Sequence, residues 1–344
     1  STADPTISTT NGSSSSGDPT NQPPAWDSEP GTQIVITEIF KTNFQPGQIF
    51  ISSSVTDEIR VYDKESLNFL MAFTHPAFSE VNSPSLVYGP NGAAFNVRGN
   101  LVVAGYAKFV EFSDYGVEFK TYPKQSEESN ENLVFDSKGN MYTTTATGGS
   151  DKLNQYAAAD YAFVQTIEVP PGAGQLTGIT FDGYGRLYVA SQADNLIHYT
   201  DFNVDLVEFI WKQTLPGEGN VKALEGLQFN STGELVAAAG DLVRYNVNNQ
   251  SKIGTFDEPG DLFPVPLRVD NEGNIYTADY ENGSGTAPAD VIKFSPDGQF
   301  LYFSGLGQTR FYRISDLEKG DTSRWTTLPV IRHGHDGWAF AHDG

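Results

Sequence analysis

The chain has 344 residues, 38% hydrophobic and 12% aromatic, which is enough apolar material for a sizeable core. Its 21 Lys and Arg face 43 Asp and Glu, giving a net charge of −22, so nucleic-acid backbones and anionic membrane surfaces are repelled. The absence of cysteine excludes disulfides, iron–sulfur clusters and thiol nucleophiles, and no run approaches the roughly 20 apolar residues of a spanning helix.

Residues 1–33 read as a low-complexity tail of Ser, Thr, Pro, Gly, Asn and Asp, with Ser13–Ser16 and Pro23-Pro24 inside it and no basic residue before Lys41. Such a segment buries too little apolar surface to offset its ordering entropy. It is expected to act as a stalk or spacer, or as an arm held by a neighbouring subunit. The start at Ser1 fits the mature form of a secreted protein, and a surface tether upstream of Ser1 fits the same pattern.

Residues 34–344 repeat. An apolar residue is followed four positions later by Gly at Phe95/Gly99, Phe135/Gly139, Phe181/Gly185, Phe229/Gly233, Val269/Gly273 and Phe340/Gly344. Turn formers lie between, as in Asp136-Ser137-Lys138-Gly139, where a tight hairpin needs positive φ. An alternating strand follows, such as Leu187-Tyr188-Val189 or Ile275-Tyr276-Thr277. A third strand then ends on an aromatic residue: Tyr62, Phe112, Tyr156, Tyr199, Tyr245 and Phe294, spaced by 43 to 50 residues. A fourth strand closes most units, as in Val207–Trp211. Four antiparallel strands at this period predict an all-β fold, a β-propeller of six four-stranded blades.

Gly47-Gln48-Ile49-Phe50-Ile51 reads as a second strand with no first strand before it, and Trp338-Ala339-Phe340-Ala341-His342-Asp343-Gly344 as a first strand with nothing after it. The C-terminal strand is therefore expected to complete the first blade and close the ring. Gln33–Thr37 and Thr309–Trp325 stay unassigned, and together they allow a seventh blade as the alternative.

The phrases Thr180-Phe181-Asp182-Gly183-Tyr184-Gly185-Arg186-Leu187-Tyr188-Val189 and Asn274-Ile275-Tyr276-Thr277-Ala278-Asp279 resemble NHL-repeat blades and the superfamily of SMP-30, gluconolactonase and streptogramin-lyase propellers. That resemblance implies the fold over residues 44–344. It implies little about activity, because such blades serve lyases, lactonases, receptors and scaffolds alike.

In a propeller the inner strands start at one mouth of the central channel. Four positions before each apolar marker stand Asn91, Glu131, Thr177, Glu225, Val265 and Asp336. The resemblance implies that Glu225, Asp336, Asn91 and Glu131 hold one divalent cation, with Ca²⁺ the hard ion suited to such oxygens. Independently, converging carboxylates repel unless one protonates or a cation joins them. The competing reading is a wet polar channel. His335, in His333-Gly334-His335, and Glu131 are the candidates for moving a proton, whereas His75 and His198 read as structural. Asp136, Asp182 and Asp270 read as turn formers. No Gly-x-Ser-x-Gly elbow, phosphate-binding Gly-Lys-Ser/Thr or His-Glu-x-x-His is present.

Two functions follow. One is an extracellular or cell-surface binding and scaffold subunit that is not an enzyme. Its partners are itself or other proteins, and it assembles into oligomers or filaments by strand addition through Ile34, Val35 and Ile36 or Phe311 and Tyr312. The other is a metal-dependent lactonase or lyase acting at the channel mouth.

Overall fold

The computed structural model describes residues 44–53, 56–79, 90–105, 108–125, 130–145, 152–203, 208–216, 224–239, 242–256, 264–270, 272–279, 291–294, 300–305, 308–313 and 338–340. The expected tail, 1–33, and the assembly candidates Ile34, Val35 and Ile36 lie outside them.

Among the described residues the regular elements are β-strands, apart from one short 3₁₀ turn at Pro76–Phe78. In chain order, β1 (Gln48–Ser53), β2 (Glu58–Asp63) and β3 (Phe69–Thr74) form a meander. β4 (Ala93–Phe95), β5 (Leu101–Ala104), β6 (Lys108–Asp114) and β7 (Val117–Pro123) form the next sheet. It is followed by β8 (Asn130–Phe135), β9 (Met141–Thr145), β10 (Leu153–Tyr156) and β11 (Phe163–Ile167). A further sheet holds β12 (Leu176–Phe181), β13 (Leu187–Ser191), β14 (Leu196–Asn203) and β15 (Glu208–Pro216). Another holds β16 (Leu224–Phe229), β17 (Leu235–Ala239), β18 (Leu242–Asn246) and β19 (Ser251–Phe256). β20 (Pro264–Val269), β21 (Ile275–Asp279), β22 (Val291–Phe294), β23 (Phe300–Gly305) and β24 (Gln308–Arg313) make a sheet of five. β25 (Trp338–Phe340) pairs antiparallel with β1, Ile49 opposite Phe340 and Ile51 opposite Trp338. This is an all-β propeller.

The repeat marks fall in register with the strands. Phe95, Phe135, Phe181, Phe229, Val269 and Phe340 each end the first strand of their sheet. Tyr62, Phe112, Tyr156, Tyr199, Tyr245 and Phe294 all sit on the third. The marker follows from local physics, shown best at Asp136. Its Oδ1 accepts from Lys138 N at 2.9 Å and Asn140 N at 2.8 Å, and Gly139 turns the chain at φ +84°. Asp136 Oδ2 then accepts from the Tyr142 hydroxyl at 3.2 Å, tying the turn to the next strand. Asp182 with Tyr188 and Asp270 with Tyr276 repeat the arrangement. Burial first, and the adjacent carboxylate second, push the Tyr142 and Tyr276 hydroxyls well above the ordinary tyrosine range. These aspartates are turn formers.

The structure bears out an all-β propeller but not six four-stranded blades. The sheet of β20 to β24 has five strands, because β24, which carries Phe311 and Tyr312, pairs antiparallel with β23; the rest of the stretches expected to allow a seventh blade lies outside the described residues. Gly305 pairs with Gln308 and Leu301 with Tyr312, so one edge of β24 is used within its own chain. A loop of about two residues closes at small entropic cost, which makes local pairing the first option open to an alternating segment.

The apolar core is distributed between sheets. Phe44, Phe50, Phe95 and Tyr115 meet edge to face at 5.1–5.3 Å between ring centroids where the first sheet packs on the second. A separate cluster of Tyr188, Leu224, Leu227, Leu235 and Tyr245 joins two later sheets. Inner strands approach closely. A Cβ on Gly92 would lie 2.9 Å from the Asn132 carbonyl carbon, and one on Gly226 would lie 3.0 Å from Leu267 N. Gly92→Ala and Gly226→Ala should each lose about 1–3 kcal/mol in urea unfolding, since neighbouring backbone must shift. Gly183→Ala, where a Cβ meets nothing within 4 Å, should change stability by less than about 0.5 kcal/mol.

Candidate functional site

The innermost strands lie side by side, β4 against β8, β8 against β12, β12 against β16 and β16 against β20, with β25 touching both β20 and β4. In a β-propeller the innermost strands border the central axis, the natural place for a site in this fold. Three hydroxyls join one sheet to the backbone of the next. Ser52 donates to the Asn91 carbonyl, Thr144 to the Thr177 carbonyl at 2.6 Å, and Thr177 to the Leu224 carbonyl at 2.6 Å. Ser52, Thr144 and Thr177 are buried, so each bond replaces water for a carbonyl that has lost it.

The expected site residues are distributed unevenly. Asn91 is buried, its N–H donates to the Ala104 carbonyl at 2.9 Å, and its own carbonyl takes the Ser52 hydroxyl. Glu131 falls on β8 and Glu225 on β16, at the inner-strand positions expected of them. Their side chains, together with the whole of His335 and Asp336, lie outside the described residues. Among the described residues no three His, Asp or Glu gather as a metal-holding group. The two histidines read as structural are engaged. His75 Nε2 meets Glu118 at 2.8 Å while its Nδ1 accepts from Ala77 N, and His198 Nε2 meets Asp194 at 2.8 Å.

A residue not singled out in the sequence joins three inner strands. Arg268, on β20, is 9% exposed. Its Nη1 donates to the Leu267 carbonyl at 2.9 Å. Nη2 reaches across to other sheets, to the Ala93 carbonyl on β4 at 3.3 Å and Asn132 Oδ1 on β8 at 3.4 Å. Burial pulls its pKa down to about 10, still far enough above neutrality to keep the charge. One signal was available in the sequence: Arg268 is the single Lys or Arg on any first strand of these sheets.

No protein-family model matches this sequence, and no curated protein sequence matches it. Solved structures do. A protein of unknown function from Bacteroides caccae is 11% identical with a TM-score of 0.58, over 87% of this chain and 100% of that one. A chain of a nidogen/laminin complex is 15% identical with a TM-score of 0.55, over 86% of this chain and 98% of that one. A streptogramin B lyase is 13% identical with a TM-score of 0.51, over 80% of this chain and 85% of that one. The chain resembles these β-propellers. At such identities the likeness is one of fold, and the site must be argued from its own residues.

Thr177→Val keeps the shape but leaves the Leu224 carbonyl without its donor, and should lower stability by about 1–3 kcal/mol in thermal or urea unfolding. Thr177→Ser should recover most of that loss.

Proposed function

We propose that the protein is an extracellular or cell-surface propeller that binds proteins and self-assembles, and that its chemistry is recognition rather than turnover. In this reading residues 34–344 form one ring of six blades closed by β25, and residues 1–33 are a tail that reaches a neighbouring copy. The pairing of β25 with β1 supports closure, because it uses two strand edges that would otherwise be open.

The observation that carries the binding reading is the exposure of apolar side chains on outer strands. Phe69 and Leu70 on β3 are 51% and 47% exposed, and Phe119 on β7 is 55% exposed. An outer strand also offers an unpaired row of backbone N–H and C=O groups. Apolar side chains beside an open edge are what strand addition needs: the backbone supplies affinity and alternate side chains supply specificity. Ile34, Val35 and Ile36 of a second copy form a short β-branched run suited to such pairing, and a head-to-tail contact of this kind extends into filaments unless rotation closes it. The outer end of β3 is firm: Phe73 packs on Phe112 with centroids 5.3 Å apart, and the His75–Glu118 pair joins it to β7. With a net charge of −22, the surface favours protein partners over nucleic acid. No helix among the described residues is long and apolar enough to cross a membrane.

The alternative is a metal-dependent lactonase or lyase using Ca²⁺ held by Glu225, Asp336, Asn91 and Glu131, with His335 or Glu131 moving a proton. A cation there would share the channel with the Arg268 guanidinium, whose charge opposes it. That opposition weighs toward the binding reading.

Light scattering over a concentration series should find the intact chain associated and the form lacking residues 1–33 monomeric. Leu70→Asp should weaken association at least tenfold without changing the thermal midpoint. Monomers throughout, together with lactone turnover lost in Glu225→Ala, would reverse the choice.

A further inference from the structure

Asn-x-Ser/Thr triplets begin at Asn11, Asn230, Asn249 and Asn282, and the recognition role uses none of them. Those at Asn230 and Asn249 lie among the described residues, each in a turn between strands. In both, the hydroxyl two residues on donates to the asparagine Oδ1, Thr232 at 2.8 Å and Ser251 at 2.7 Å. The backbone N–H of the same residue donates to that oxygen as well, at 3.1 Å and 3.2 Å. A backbone N–H can only donate, so these bonds fix which atom of each amide is oxygen and which is nitrogen. The two nitrogens then differ. Asn230 is half-buried, and its Nδ2 donates to Glu234 Oε2 at 3.0 Å while its Oδ1 also accepts from Glu234 N at 2.9 Å. Asn249 is exposed, as are Asn248, Gln250 and Ser251 around it, and its Nδ2 has no acceptor among the described residues.

We propose that Asn249 is an N-glycosylation site of the folded protein and that Asn230 is not. The inference rests on the extracellular reading, because a chain that is never exported does not meet the transferase. In the transfer, Asn249 Nδ2 forms a bond to the anomeric carbon of a saccharide carried on a lipid diphosphate. The bond from that carbon to the phosphate oxygen breaks, its electron pair leaves with the lipid diphosphate, and one Nδ2 proton ends on that phosphate. Nothing is oxidised or reduced. The triplets alone rank the two asparagines alike, since each carries its hydroxyl residue, and access ranks them apart. Asn249 joins β18 to β19, the outermost pair of strands in its sheet. Its turn is held from within by Asn246 Oδ1, which accepts from Asn248 N at 3.0 Å and Asn249 N at 3.3 Å, so a transferase reaches the amide without opening a strand. Asn230 follows β16, the innermost strand, and its nitrogen is taken up by a charge-assisted bond to a carboxylate that the reaction must disturb.

The test incubates the intact folded protein with a lipid-linked oligosaccharide and a purified oligosaccharyltransferase shown to modify synthetic peptides spanning residues 226–236 and 244–255. Peptide mass spectrometry reads the occupancy of each asparagine, and the two peptide rates correct for the enzyme's own preference. Asn249 should be modified at least about tenfold faster than Asn230, the factor expected from breaking a hydrogen bond to a charged group. Asn249→Asp keeps the oxygen that Ser251 uses, so it should leave the thermal midpoint unchanged and abolish modification at that position. Ser251→Ala should abolish it too. Glu234→Ala, which frees the Asn230 nitrogen, should raise modification there severalfold. The proposal is overturned if folded Asn249 is no more reactive than folded Asn230, or if Glu234→Ala leaves Asn230 as it was. Mass analysis of the protein from its native source separates this site from the reading beneath it. An exported chain bare at Asn249 overturns the site and spares the extracellular reading, whereas a chain that is never exported overturns both.

Discussion

The close approach of the inner strands is the constraint on which the rest of the fold depends. Where β4 meets β8 and β16 meets β20, the backbones are near enough that Gly92 and Gly226 have no room for a Cβ. Close-packed interiors do not yield to such an addition without moving backbone. Buried hydroxyls then satisfy carbonyls that neighbouring sheets have sealed from water, Thr144 to Thr177 and Thr177 to Leu224. Thr177 is thus both donor and acceptor in a chain of three consecutive sheets.

Away from the centre, five of the six described sheets are fixed by the same small unit. A side-chain oxygen at the first turn takes the backbone N–H groups that the turn exposes, and in three sheets a buried tyrosine hydroxyl from the second strand completes it. The second sheet solves the problem differently. Asn96 holds the turn, and Glu111, fully buried, accepts from Asn96, Asn100, Arg98 and Tyr122. A buried carboxylate is tolerable there because every direction around it is filled by a donor and one of them is a cation. Arg268 is the opposite case, a buried charge whose acceptors are all neutral.

Much of the architecture was legible in the sequence because its cause is local. Alternation of apolar and polar residues, glycine at turns, and the apolar residue four positions earlier are set by backbone sterics and the two-residue strand period. They therefore place the first and third strands of each sheet correctly. The fifth strand was missed because Phe311 and Tyr312 alternate equally well for a new blade or a hairpin, and only the short connection to β23 decides between them. Of the expected metal ligands, Asn91 is described, and its backbone is engaged by Ala104 and Ser52. Position along the strand was readable for Glu131 and Glu225, but what surrounds a side chain is not a property of strand position.

The sequence by itself determined that the chain is a β-repeat with a polar tail, a strongly acidic charge and recurring Asx turns, because composition and short-range spacing are enough to dictate these. Only the tertiary structure decided that Arg268 meets Ala93 and Asn132, residues 175 and 136 positions away along the chain. Its place on a first strand is the one local mark that sets this arginine apart, and that mark does not say what the side chain meets. Its burial exists only once the sheets converge, because it is convergence that removes water from the charge and brings neutral carbonyls to meet it.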